Sequence, residues 1–103
     1  MKQSHPSNTL AILLRQKRDE ILKIAAKHGA YNVRVFGSAA RGDDTPVSDI
    51  DFLVETGAET SSWFPAGLIL DLENILNRPV DVVTDQGLNP HLRNEVMREA
   101  VPL

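Results

Sequence analysis

Apolar residues recur along the first third of the chain at Leu10, Leu13/Leu14, Ile21 and Ile24/Ala25, interrupted by Lys17. That three-to-four spacing predicts a helix from Thr9 to His28, with Asn8 or Thr9 as its cap and Gly29 as its stop; residues 1–8 read as a loose tail. Tyr31–Phe36 alternates and is rich in β-formers, so it predicts a strand that Gly37-Ser38 ends, followed by a short helical turn over Ala39–Gly42. Asp43–Ser48, with Thr45-Pro46, reads as a loop. A second strand is expected over Ile50–Glu55 and a polar linker over Thr56–Ser62. Pro65 opens a helix carrying Leu68, Ile69, Leu72, Ile75 and Leu76, ended by Asn77-Arg78-Pro79. Val80–Thr84 predicts a third strand and Asp85–Leu88 a turn. Asn89 then caps a last helix, from Pro90 to about Ala100, with Leu92, Val96 and Met97 expected to face inward. The expectation is an α/β (α+β) domain over residues 1–103, a small mixed sheet with helices packed on it.

Two carboxylates break the apolar pattern of the second strand: Asp49 and Asp51, around Ile50-Asp51-Phe52-Leu53-Val54. Side chains two apart on a strand share a face, at roughly 6–7 Å. Acids that close repel unless a cation lies between them. Their hard oxygens suit Mg²⁺, which keeps waters and completes its shell with substrate phosphates. Asp81 on the third strand is placed to be a third acid, allowing two metal ions to flank a phosphorus atom. Upstream, Gly37 permits close backbone approach, and N–H groups there, with the Ser38 hydroxyl, suit phosphate oxygens. Arg41 either adds charge to that cradle or braces the loop by pairing with an acid. A calcium loop is excluded, because Ile50, Phe52 and Leu53 do not fit one.

Charge and composition narrow the class. The 103 residues carry a net charge of −3, and 42% are hydrophobic. Residues 1–42 hold eight Lys/Arg against two acids, whereas residues 43–103 hold three against twelve. The acidic total argues against broad nucleic-acid binding. With no cysteine, disulfides and thiolate metal sites are excluded, and a reducing compartment is compatible. The apolar run Leu10–Leu14 is too short for a signal peptide or a membrane span, so a cytoplasmic protein is expected. Ser48 reads as a turn residue bonding its own backbone. His5, His28 and His91 lack a second ligand at metal spacing and read as helix-end or tail residues. Trp63 and Phe64 are either an anchor for the following helix or, if exposed, interface residues.

The joined pattern Gly37-Ser38-x-x-Arg41-Gly42-x₅-Ser48-Asp49-x-Asp51, with Asp81 in a later strand, resembles the signature of the DNA polymerase β-like nucleotidyltransferase superfamily. Its short form is similar to the minimal nucleotidyltransferase (MNT) family, specifically its MntA-type antitoxins. The resemblance implies that Gly37 and Ser38 bind the nucleotide triphosphate, beside Arg41 as the candidate further nucleotide contact. It also implies that Asp49 and Asp51 bind Mg²⁺, and that Asp81 is a further metal ligand or the base. ATP is then the substrate, two Mg²⁺ the cofactors, and AMP the group transferred. The implied acceptor is a tyrosine hydroxyl on a partner HEPN-domain RNase toxin, which the adduct silences. The short chain leaves little sequence for an acceptor pocket, so the acceptor is expected on a docking protein. Two rivals stand beside this reading: an antitoxin that neutralises its partner by stoichiometric binding alone, and transfer of AMP to a small molecule such as an aminoglycoside.

Overall fold

The structure, a computed structural model, describes residues 6–43, 45 and 47–103. Helix α1 runs Pro6–Lys27, strand β1 Ala30–Phe36, helix α2 Ser38–Arg41, strand β2 Ile50–Thr56 and helix α3 Ala66–Leu76. Strand β3 (Val80–Thr84), helix α4 (Pro90–Glu99) and strand β4 (Val101–Pro102) follow. The four strands form one mixed sheet in the order β3-β2-β1-β4. β1 is antiparallel to both β2 and β4, whereas β2 and β3 are parallel.

The alternation within β2 explains its mixed composition. Ile50, Phe52 and Val54 belong to the main core cluster together with Val33, Val35, Val80 and Val82 of the neighbouring strands. Ile21 and Ala25 of α1 and Leu68, Leu72 and Leu76 of α3 close that core from the helix side. A fully buried side chain such as Phe52 or Ile21 contributes about 1.5–3 kcal/mol. Period two then sends Asp51, Leu53 and Glu55, with Asp81 and Val83 on β3, to the opposite face. The acids therefore interrupt nothing, because they stand on the face that α1 and α3 do not cover.

Two expectations are corrected, and one unread element is added. Asn8 and Thr9 lie inside α1, which Pro6 opens; proline suits a first helical position, where no N–H is needed. Residues 6–8 are thus helical, while residues 1–5 of the expected tail, His5 included, lie outside the described residues. The inward stripe on α4 is absent: Leu92 and Met97 are exposed, Val96 is half-buried, and the helix buries no residue. Polar contacts hold it instead, among them Arg93 Nη1 to the Asp85 carbonyl at 2.6 Å. Finally, β4 pairs Val101 with Val35 and Pro102 with Arg34. Two residues carry no readable alternation, so this edge strand leaves no sequence signal. The remaining boundaries agree within a residue or two, and the Asn89 side chain caps α4 by accepting from His91 N–H at 2.8 Å. No helix among the described residues is long and apolar enough to cross a membrane.

Candidate active site

Register collects the candidate residues at one end of the sheet. β1 ends beside the start of β2, with Phe36 opposite Asp51. On the other side Asp51 pairs with Asp81 of β3. Asp49 sits two residues upstream, in the segment leading into β2, and is exposed. Gly37, the residue after β1, has φ +70° and ψ −147°, a conformation that glycine alone adopts without strain. A Cβ at this position would stand 2.5 Å from Asp51 Oδ2. The main chain at Gly37 therefore runs directly against the Asp51 carboxylate.

The acids feel one another. Burial pushes the Asp51 carboxyl above its ordinary pKa, the charges of Asp81 and then Asp49 push it further, and Arg41 opposes them. The Asp81 side chain is exposed, and its Oδ1 accepts the Val82 N–H at 3.0 Å. Among the described residues, no three acid or imidazole groups are closed up as a ready metal cage. Asp51 and Asp81 share a rung of the sheet, but the three carboxylates do not converge on one point. Uncompensated like charges turn apart, and Mg²⁺ needs only one or two protein carboxylates when water and phosphate fill its other positions. The donor set, hard carboxylate oxygens crowded at one end of the sheet, fits that ion.

The flanking residues fix the approach to the acids. Arg41 pairs with Asp43 (Nε to Oδ2, 3.1 Å) and with Glu99 (Nη1 to Oε2, 3.0 Å), and both pairs raise its pKa. The Gly37 N–H donates to Glu99 Oε1 at 3.2 Å. Ser48 Oγ accepts the Thr45 N–H at 2.8 Å, so the serine closes the turn before Asp49, as its sequence context suggests. Arg78 Nη2 donates to the carbonyls of Thr45 (2.8 Å) and Ser48 (2.9 Å), pinning that turn from the end of α3.

Sequence reasoning missed both Glu99 and Arg78. Glu99 owes its place to the unreadable β4, and Arg78 acts on backbone carbonyls, which no motif records. His28 stands at the end of α1, as its sequence context suggests, and is buried. Its Nδ1 meets Ser61 Oγ at 2.6 Å and its Nε2 meets Asp71 Oδ2 at 2.8 Å. Phe64 packs against the core and Trp63 is exposed.

A hollow of about 250 Å³ lies away from the acids, lined by Leu14, Arg15, Arg18, Val35 and Ala40 among others. The acids themselves stand at an open sheet end.

Comparison with known proteins gives the family and the fold. Residues 18–103 match the family described as "Nucleotidyltransferase domain". A Methanocaldococcus jannaschii protein named "Putative protein adenylyltransferase" is 39% identical over 82 residues, covering 80% of this chain and 88% of its own. A second of the same name and organism is 34% identical over 89 residues, covering 84% and 87%. A solved structure described as "Structure of putative minimal nucleotidyltransferase" superposes with a TM-score of 0.79 at 42% identity, covering 99% of this chain and 100% of that one. Another, described as "Crystal structure of the toxin-antitoxin with AMP-PNP", has a TM-score of 0.63 at 22% identity, covering 93% and 70%, and shares the fold.

Proposed function

The chain belongs to the nucleotidyltransferase domain family and is a nucleotidyltransferase, and from that premise we propose that it is a Mg²⁺-dependent protein adenylyltransferase acting as an antitoxin. It takes AMP from ATP and places it on a hydroxyl, a tyrosine by the family resemblance, of a partner HEPN-domain RNase toxin. The observation that carries this reading is the shared rung of Asp51 and Asp81 against the glycine-only bend at Gly37.

The reaction joins the acceptor oxygen to the α-phosphorus and breaks the bond to the bridging oxygen, so that pyrophosphate leaves. Catalysis of such transfers is mainly positioning and charge stabilisation. Gly37 and Ser38, with Arg41, hold the triphosphate. Asp49 and Asp51, with Asp81, are the residues that would hold Mg²⁺. When bound, that ion offsets the charge of the phosphates and orients them. Asp81, exposed on the edge strand, is also the group that accepts the proton of the incoming hydroxyl in this reading. The open sheet end agrees with an acceptor carried on a second protein. The names of the relatives support a protein acceptor, and the toxin–antitoxin neighbour with AMP-PNP supports the partner class and the nucleotide.

The test is intact mass of the partner toxin after incubation with MgATP and this protein. A gain of one or more adenylyl units, absent with Asp49→Asn plus Asp51→Asn, is expected. A gain that persists in the double variant overturns the assignment of the acids. Neutralisation of the toxin by the double variant at equal molar ratio would show that docking alone suffices.

A further inference from the structure

The carboxylate of Glu99 stands where the proposed function places a phosphate. One of its oxygens accepts the Gly37 N–H at 3.2 Å and the other meets Arg41 Nη1 at 3.0 Å. An anion held through two oxygens by a backbone N–H and a guanidinium is bound as a phosphate is bound. The placement follows from register. β1 and β4 pair Val35 with Val101 and Arg34 with Pro102, and continuing that antiparallel ladder by two rungs sets Glu99 opposite Gly37. Helix α4, which ends at Glu99, buries no residue, so little apolar packing resists a shift of its last turn.

We infer that Glu99 is an internal competitor for the nucleotide: its carboxylate fills the Gly37–Arg41 anion cradle in the nucleotide-free protein and leaves when the triphosphate binds. Glu99 then sets nucleotide affinity by occupying the cradle itself. The inference rests on the reading of Gly37 and Arg41 as phosphate contacts. A simple brace would act oppositely. Removing a brace loosens the cradle and weakens binding, whereas removing a competitor strengthens it. An occupant of the binding-competent state lowers apparent affinity by the fraction of molecules it blocks.

The experiment titrates α,β-methylene-ATP with Mg²⁺ into wild type, Glu99→Ala, Glu99→Gln and Glu95→Gln by calorimetry, with Tm recorded for each. The analogue cannot be cleaved at the α–β bridge. Glu99→Ala is expected to lower the apparent Kd about three- to tenfold, the net worth of one ordinary hydrogen bond, and to tighten inorganic pyrophosphate in parallel. Glu99→Gln loses the charge but keeps an oxygen for the Gly37 N–H, and a smaller tightening is expected; it decides the matter should the alanine variant not fold. Glu95→Gln, one turn earlier on α4, tests for a general charge effect and is expected to match wild type. Equal or weaker binding by folded Glu99 variants overturns the inference alone. So does equal tightening by Glu95→Gln. Absence of binding by every protein overturns the inference together with the phosphate reading on which it rests.

Discussion

Asp51 and Asp81 stand opposite each other across the parallel pairing of β2 and β3, so two carboxylates of one sheet face occupy a single rung. A cross-strand pair of like charges destabilises a sheet. Here burial, Asp81 and Asp49 together raise the pKa of Asp51, with Arg41 only partly offsetting them. For an acid whose folded pKa is raised, the folded state favours the protonated form. Stability is then greatest below the unfolded pKa and declines as pH rises through the folded value.

Replacement of Asp51 by Asn is therefore expected to separate stability from activity. In metal-free protein at pH 7 the variant gains about 2–5 °C in Tm, the size of a fraction of a kcal/mol to one in a domain of this length. The same change lowers nucleotidyl transfer by about 10²-fold or more, as loss of a group stabilising developing charge does. Adding Mg²⁺ raises the Tm of wild type and leaves Asp51→Asn nearly unmoved. Thermal scans with and without Mg²⁺ check the two stability effects and a transfer assay checks the loss of activity; a variant less stable than wild type without metal contradicts the account.

Gly37 gives a steric prediction. An alanine methyl would stand 2.5 Å from Asp51 Oδ2 at a backbone φ of +70°. Strain of that kind costs about 1–3 kcal/mol. Gly37→Ala is expected to lower stability by that amount in denaturant titration. It should also lower transfer more than tenfold, because relieving the clash displaces the carboxylate. Ala39→Gly on the neighbouring helical turn should disturb neither property to that degree.

The elements were legible where periodicity ran long, and the acids where the motif did. Ile50, Phe52 and Val54 alternate with Asp51 and Glu55 plainly enough to give a strand and its two faces. Leu68, Leu72 and Leu76 mark the buried side of α3. The failures share a cause, since each depends on tertiary placement. Leu92 and Met97 have helical spacing but no core to face, because α4 lies on the outer side and is tied by Arg93 and Glu99. β4 is too short to alternate. Arg78 looks like a helix terminator, yet it holds carbonyls 30 and 33 positions upstream. Pattern reports local geometry and burial, and it is blind to side chains whose partners are distant backbone atoms.

A second pH dependence arises behind the core. His28 is bonded to Asp71 and Ser61, and Lys27 lies 3.4 Å from Asp71. The hydrogen bond from His28, then Lys27, holds the Asp71 carboxyl below its ordinary pKa despite partial desolvation. A depressed acid contributes stability that is present above the unfolded pKa and is lost as pH falls through the folded one. Wild type is thus expected to lose Tm as pH drops below the ordinary carboxylate range. Asp71→Asn should start lower at pH 7 and show a shallower loss there. Thermal melts from pH 7 to pH 3 check this, and parallel curves for the two proteins would refute it.

Arg78 supplies the last prediction. Its guanidinium holds the carbonyls of Thr45 and Ser48, and Asp49 is the next residue along the chain. The position of the Asp49 carboxylate thus depends on a turn fixed from α3. Partners that orient a metal ligand typically govern metal affinity or activity by about 10- to 100-fold. Arg78→Ala is expected to raise the Mg²⁺ concentration for half-maximal transfer by about tenfold, with Tm lowered as well, because the guanidinium contacts are lost. Arg78→Lys, which keeps the charge but loses the planar fork, should fall between the two. The Mg²⁺ titration separates positioning from bulk stability. A variant that is merely less stable keeps the wild-type half-maximum at temperatures where it is folded, and that result would remove Arg78 from the site.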